Sequence, residues 1–503
     1  MSVPAVLAVD IGTSSVRAMV FDAAGTIAAR SQIGYSTIRP APYFEEQDPD
    51  LVRTEVYRAM ALCLAQPEAK PERIGAIGFS SQLYGVIALD AGDTPLTWNI
   101  LWSDGRAEAQ AETMKRSGGE RWLYPETGCP MNSIYPLAKL VWLREERPVV
   151  FGAARRFVSI KEYVTQPLVG EWAVDYSMAS ATGMLDIRSH CWHPVALAAA
   201  GVDDSKLSQP VSGLRGFALR RRGPLAGCGL PDDVRVFLGG GDGPLANLGS
   251  GASAVGAVNI DLGTSGAARC ITDAPTVDDT ASLWCFCLTD DLWTYGGIVT
   301  NVGNAYQWLG TNVVGAAGLG DSEAYALMDR LAAEAGAGAG GLYVLPYLRK
   351  TRSPTWDGRL KGTIYGLTAD HGVGHVARAM LEAVAYDLKT IIGIMQQRAA
   401  IVAHMVLTGG LSKSPIIPQL LADVLDREVR APQEGEGSVA GAAILALRGI
   451  GAIDSLAFSG AARPYQAYRP DAGRRQRYDK AYGGYVRLVE ALRRIELDGE
   501  GVR

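Results

Sequence analysis

The sequence predicts an α/β protein of two similar domains around a shared cleft, and three observations carry that expectation. Leu7 to Arg17 reads LAVDIGTSSVR: an apolar run ends in Asp10, Gly12-Thr13-Ser14 turn the chain, and Val16 to Phe21 resume a strand pattern. Val258 to Arg269 reads VNIDLGTSGAAR, so the same Asp-x-Gly-Thr-Ser turn returns half a chain later, at Asp261 to Ser265. Finally, 503 residues are too many for one hydrophobic core, and two large domains are the natural division. The junction is expected near residue 245, giving units 1–245 and 246–503.

A small, polar hairpin tip can bring backbone N–H groups and hydroxyls close to an anion, because glycine lacks the Cβ that would block the approach. Two such tips imply a phosphate-binding cleft, with Gly12, Thr13 and Ser14 on one side and Gly263, Thr264 and Ser265 on the other.

Bulk properties narrow the class. A hydrophobic content of 48% with 20% charged residues is globular, and a net charge of −5 without a basic stripe excludes nucleic acid as the expected partner. Arg220-Arg221-Arg222 reads as an isolated, solvated loop. The N-terminus enters its first strand at once, without the basic region of a signal peptide, and the uncharged run Ala335 to Leu348 is too short and glycine-rich to cross a bilayer. No membrane association is expected. Seven scattered cysteines, an odd number, read as buried free thiols of a cytoplasmic protein.

Along the chain, Asp50 to Leu64 has helical spacing, and Ile74 to Phe79 is a buried strand running into Gln82-Leu83-Tyr84-Gly85. Ile100 to Trp102 reads as a strand ending at Ser103-Asp104-Gly105-Arg106. Polar groups beyond strand ends are where α/β proteins place ligands. Leu137 to Arg147 is helical, and Asp175 to Ser180 reads as a loop. Val234 to Leu238 is a strand running into Gly239-Gly240-Gly241-Asp242, where three glycines are read as exposing a functional carboxylate rather than as packing residues. Trp293 to Val299 and Leu342 to Leu348 read as strands, residues 321–335 and His375 to Met395 as helices. Ser414-Pro415 has the form of a helix start, serine as N-cap and proline first. Gly437 to Leu447, GSVAGAAILAL, is a helix small enough to pack closely on a neighbour or a flat ligand.

Together these motifs resemble the FGGY family of carbohydrate kinases. The resemblance rests on DIGTSSVRAMVFD, FSSQLYGVIALD, ILWSDGR, PLAKLVWL, SIKEYV, DYSMASATGMLD, GGGDGPLANLG, DLGTSGAAR, LPYLRKTRSPTWD and LTGGLSKSPIIPQLLADVL, in order from Asp10 to Leu425. It implies two actin-like (ribonuclease H-like) domains flanking a nucleotide cleft, and an enzyme that transfers the γ-phosphate of ATP to a sugar hydroxyl. The wording is closest to the family's gluconate kinases, implying a sugar acid as substrate. Xylulose kinases share several of the motifs and keep a pentulose or polyol open. An actin-like ATPase or a non-catalytic sugar sensor is the alternative from another class.

The resemblance implies roles residue by residue. Asp242 is the base that accepts the sugar proton; Asp10 approaches Mg²⁺ through water. Gly409, Gly410 and Ser414 border the adenine. Gln82, Leu83, Tyr84, Trp102, Asp104 and Arg106, with Asp242, form the sugar side. Arg17 either offsets phosphate charge or pairs at the surface. A sugar carboxylate calls for a cation, for which Arg106 and Lys161 are candidates, Lys161 having also a purely structural reading. Two departures stand out: Leu83-Tyr84 replaces the family's common Met-His pair, and Lys350-Thr351-Arg352 replaces Gly-Glu-Arg in a loop whose role the sequence leaves unassigned. Neither the oligomeric state, a homodimer included, nor the hydroxyl phosphorylated follows from the sequence.

Overall fold

The computed structural model describes residues 4–220, 223–315, 321–402, 404–433, 436–460 and 464–499. Two mixed sheets carry the two halves. The first half supplies β1 (Ala5–Ile11), β2 (Ser15–Phe21), β3 (Ile27–Gly34), β4 (Ile74–Ser81), β5 (Gly216–Ala218) and β6 (Arg235–Gly241), in the order β5-β6-β4-β1-β2-β3. The second supplies β7 (Val258–Leu262), β8 (Gly266–Thr272), β9 (Trp284–Cys287), β10 (Trp293–Val299), β11 (His404–Thr408), β12 (Glu428–Pro432) and β13 (Tyr465–Tyr468), in the order β9-β10-β8-β7-β11-β12-β13.

The sequence repeat is a repeat of topology. In the first sheet β1, β2 and β3 form an antiparallel meander, β4 runs parallel to β1, and β6 parallel to β4. In the second, β7, β8 and β10 form the meander, with β11 parallel to β7 and β12 parallel to β11. In the first sheet the central parallel strands β1 and β4 are buried almost without a break, as strands covered on both faces are. Each glycine-tipped turn joins the first two strands of its meander. The Gly12 N–H donates to Ser15 O at 3.0 Å, and the Gly263 N–H to Ser265 O at 2.9 Å.

Helix Asp242–Ser250 runs through residue 245, so the halves are joined by a helix where a junction was expected. Helix Gly437–Gly449 returns from the second half and buries Val439, Ala443 and Leu447 with Val6, Ala8 and Phe237 of the first sheet. Its small residues serve a neighbour: a Cβ on Gly441 would lie 2.1 Å from Leu245 O.

Several local expectations need correction. Only Asn99–Ile100 is paired where a strand was expected to Trp102, and only Tyr343–Leu345 within Leu342 to Leu348. Asp175 to Ser180 is no loop: Asp175 ends a strand and caps helix Tyr176–Ser180 through the Met178 N–H. The helix expected at Ser414 begins at Ile417, with Pro418 in its first turn, because Ile416 and Ile417 are the apolar residues that dock. Ser414 closes the preceding turn and accepts the Ile416 N–H. The seven cysteines are free; Cys191 is exposed and Cys228 partly so, and the other five are buried. Arg220 is exposed, while Arg221 and Arg222 lie outside the described residues. Among the described residues no helix is long and apolar enough to cross a membrane.

Candidate active site

Between the sheets lies a cleft of about 450 Å³. The first half contributes Thr13, Arg17, Leu83, Tyr84, Trp102 and Asp242 to its wall; the second contributes Asp261, Ser265, Arg269, Trp284, Arg352 and Gly409, among others. Both glycine turns therefore reach one space.

Asp242 is placed by the strand before it. The glycines ahead of it are packing residues after all. Gly239 adopts φ +65°, and a Cβ there would lie 2.0 Å from Phe79 O; on Gly241 it would lie 2.2 Å from Leu83 Cδ2. Without side chains, β6 can press against β4 and the sugar-side loop and end at the cleft floor. Buried polar groups hold that end. Lys161 donates to Leu238 O at 2.9 Å and Gly240 O at 2.8 Å and pairs with Asp175 at 2.5 Å, and the Gly241 N–H donates to Ser177 Oγ at 3.1 Å. Lys161 itself sits in a helix capped by Ser159, whose hydroxyl accepts the Glu162 N–H while the Glu162 carboxylate accepts the Ser159 N–H. Lys161 is thus committed to the backbone behind Asp242 and is not a carboxylate receptor.

Burial, then the negative charge of Asp10, push the Asp242 carboxyl up to about 7, against the Gly243 N–H (2.7 Å to Oδ1) and the Arg269 cation. A carboxyl poised there accepts a proton near neutral pH far better than a surface aspartate.

Asp10 is buried at the end of β1. Its Oδ2 takes Arg17 Nη2 at 2.6 Å, whereas Oδ1 has no hydrogen-bond partner among the described residues. An orphaned, buried carboxylate oxygen beside a glycine-tipped turn fits a hard, oxygen-seeking cation such as Mg²⁺. Arg17 lines the cleft, pairs with the buried Asp10 and reaches Glu436 of the second half at 3.7 Å.

On the side expected to take the sugar, Tyr84 occupies a left-handed backbone position (φ +69°) and packs edge-on against Tyr135 and Phe286. Lys139 fixes this loop to the next, donating to Tyr84 O at 2.8 Å and Leu101 O at 2.7 Å. Without a carboxylate in contact, burial lowers the Lys139 ammonium to about 7. Gln82 is buried beneath the first turn, accepting from Thr13 Oγ1 at 3.2 Å and donating to Gln47 at 2.9 Å. It supports the turn rather than facing the cleft.

Asp104 and Arg106 do not reach the cleft wall. Arg106 forks onto Asp104 at 2.8 and 2.6 Å, pairs with Glu46 at 2.7 Å and lies over the Phe44 ring. Every face of that guanidinium is engaged, so it is not available to a substrate anion. Gly409 lines the cleft, but Gly410 starts a short turn outside it, and Ser414 is buried at the end of that turn. Gly12, Ser14, Gly263 and Thr264 form the turns whose neighbours Thr13 and Ser265 line the wall.

Sequence reasoning did not single out Arg269 or Trp284, and it left the loop that carries Arg352 without a role. Arg269 had a legible signal: it follows Asp261 in the second copy much as Arg17 follows Asp10, and the pair stands 3.5 Å apart.

A duplicated sheet pair that aims two glycine turns at one raised-pKa carboxylate defines an actin-like phosphoryl-transfer enzyme. Family models agree on which: the N-terminal domain of the FGGY family of carbohydrate kinases matches residues 5–249 and the C-terminal domain residues 258–450. The chain belongs to that family and is a carbohydrate kinase. It is 35% identical over 456 residues to a gluconokinase of Bacillus licheniformis, covering 89% of this chain and 88% of the relative. Crystal structures of a gluconate kinase and of a ligand-bound xylulose kinase, both from Lactobacillus acidophilus, each superpose with a TM-score of 0.90 at 27% identity, covering 97% of this chain and 98% of theirs.

Proposed function

We propose that the protein transfers the γ-phosphate of ATP to the terminal hydroxyl of D-gluconate, yielding 6-phosphogluconate. The observation that carries the chemistry is the place of Asp242 on a cleft that both glycine turns enter, where burial and the Asp10 charge push its carboxyl up to about 7. Asp242 takes the hydroxyl proton, the oxygen attacks the terminal phosphorus, and ADP leaves. The Gly12-Thr13-Ser14 and Gly263-Thr264-Ser265 turns hold the triphosphate from either side, with Arg17 and Arg269 offsetting its charge. Asp10 would hold Mg²⁺, and the ion, when bound, would neutralise phosphate charge. Gly409 borders the nucleotide's far end.

The choice of gluconate draws on the gluconokinase relative and on the cations around the cleft. A kinase for a neutral ketopentose is the second reading, favoured by Tyr84 where the family commonly has histidine, since tyrosine cannot become cationic near neutral pH. Coupled ADP release with D-gluconate, D-xylulose and glycerol separates them, and ³¹P NMR of the product identifies the hydroxyl. A higher kcat/KM for a neutral substrate would sink the gluconate reading and leave the Asp242 chemistry standing.

A further inference from the structure

Resting on the reading of the substrate as a sugar acid, we propose that Arg352 receives its carboxylate, with the indole N–H of Trp284 beside it. Both residues line the cleft with Tyr84, Trp102 and Asp242. The Arg352 guanidinium lies over the Trp102 ring, 5.0 Å from its centroid.

The cleft's other arginines are already paired, Arg17 with Asp10 and Arg269 with Asp261. For Arg352 no carboxylate stands within ion-pair distance among the described residues, although Lys350, two positions earlier, pairs with Glu108 at 3.1 Å. Trp284 is only 2% exposed, and its Nε1–H has no acceptor among the described residues. A half-buried cation with no carboxylate partner and a buried donor with no acceptor leave charge and hydrogen-bonding capacity unmet at the cleft wall. A ligand carboxylate satisfies both at once.

The loop is built to hold the cation still. Asn301 bonds the Arg349 backbone twice at 2.8 Å, Thr351 Oγ1 donates to Asp357 O at 2.6 Å, and the Trp356 N–H donates to Arg352 O at 2.6 Å. Burial lowers the Arg352 pKa from its ordinary value, yet an arginine remains cationic. Tyr84 shares the cleft wall with both Arg352 and Asp242. A linear sugar acid laid across Tyr84 therefore puts its carboxylate at Arg352 and its opposite, terminal hydroxyl at Asp242.

The test measures kcat/KM for D-gluconate and for D-glucitol, which replaces the carboxylate by a hydroxymethyl group, in wild type, Arg352→Gln, Arg352→Lys and Trp284→Phe. Arg352→Gln should lower the gluconate-to-glucitol ratio by about 10²-fold or more, chiefly through KM for gluconate and with KM for ATP little changed. Arg352→Lys should recover part of the ratio, and Trp284→Phe should lower it several-fold. An unchanged ratio in a wild type that prefers gluconate overturns this inference alone. Equal losses on both substrates with a raised KM for ATP overturn it too, assigning Arg352 to the triphosphate. A wild type that prefers neutral substrates overturns the sugar-acid reading and this inference with it. If Arg352→Gln yields no folded protein, Trp284→Phe decides: an unchanged ratio there contradicts the proposal.

Discussion

Trp102 donates its indole N–H to Thr13 Oγ1 at 2.9 Å, tying the sugar-side loop directly to the tip of the first glycine turn. The walls proposed for the two substrates are therefore joined on this side of the cleft. Trp102→Phe keeps the ring but loses that bond, roughly 1 kcal/mol. Steady-state kinetics should show kcat/KM falling several-fold for ATP as well as for sugar. The double variant with Thr13→Val should lose little more than Thr13→Val alone, which also removes the Thr13–Gln82 bond. Losses confined to the sugar, or full additivity, would show that the bond does not couple the two sites.

Asp10 should set the enzyme's metal requirement. Asp10→Asn removes the charge beside the orphaned oxygen and weakens the partner of Arg17. A Mg²⁺ titration at fixed ATP should then need several-fold more metal for half-maximal rate. An unchanged Mg²⁺ midpoint would remove Asp10 from the metal site.

The acid limb of the pH–rate profile should belong to Asp242. The raised carboxyl must lose its proton to act as a base, so activity should rise with pH through about 7 and fall away below it. Arg269 lowers this pKa and Asp10 raises it. Arg269→Met should therefore move the limb to higher pH, and Asp10→Asn to lower pH. Shifts in the same direction for both variants would mean that another group titrates.

The sequence showed clearly whatever was local. Asp10 and Gly12-Thr13-Ser14 lie within one turn, and the second copy repeats the pattern, so both halves of the fold and the meeting of the two turns at one cleft could be read directly. Asp242 was legible from its glycines, though for an incomplete reason: the glycines permit β6 to pack against Phe79 and Leu83 as well as to place the carboxylate. Arg106 misled because its neighbours are local too, and Asp104, two residues away, occupies it. Arg352 and Trp284 were illegible for the opposite reason. Trp284 comes to the cleft on β9, at the far edge of the second sheet, and Arg352 on a loop anchored by Asn301. No spacing in the sequence records those meetings.

The helix crossing should be intolerant of a single methyl group. A Cβ on Gly249 would lie 1.7 Å from Gly437 O, and backbone cannot rotate out of the way. Gly249→Ala should destabilise the protein by about 1–3 kcal/mol or more, as overpacking does, lowering the calorimetric transition. A wild-type Tm would mean that the two helices do not cross this closely.

Asp242→Asn tests the central claim most directly, in the ADP-release assay with D-gluconate. The side chain keeps its size and loses its basicity, so kcat should fall by about 10²–10⁴-fold while ATP still binds with near wild-type affinity in a nucleotide titration. Near wild-type turnover in the Asp242→Asn enzyme would contradict Asp242 as the base.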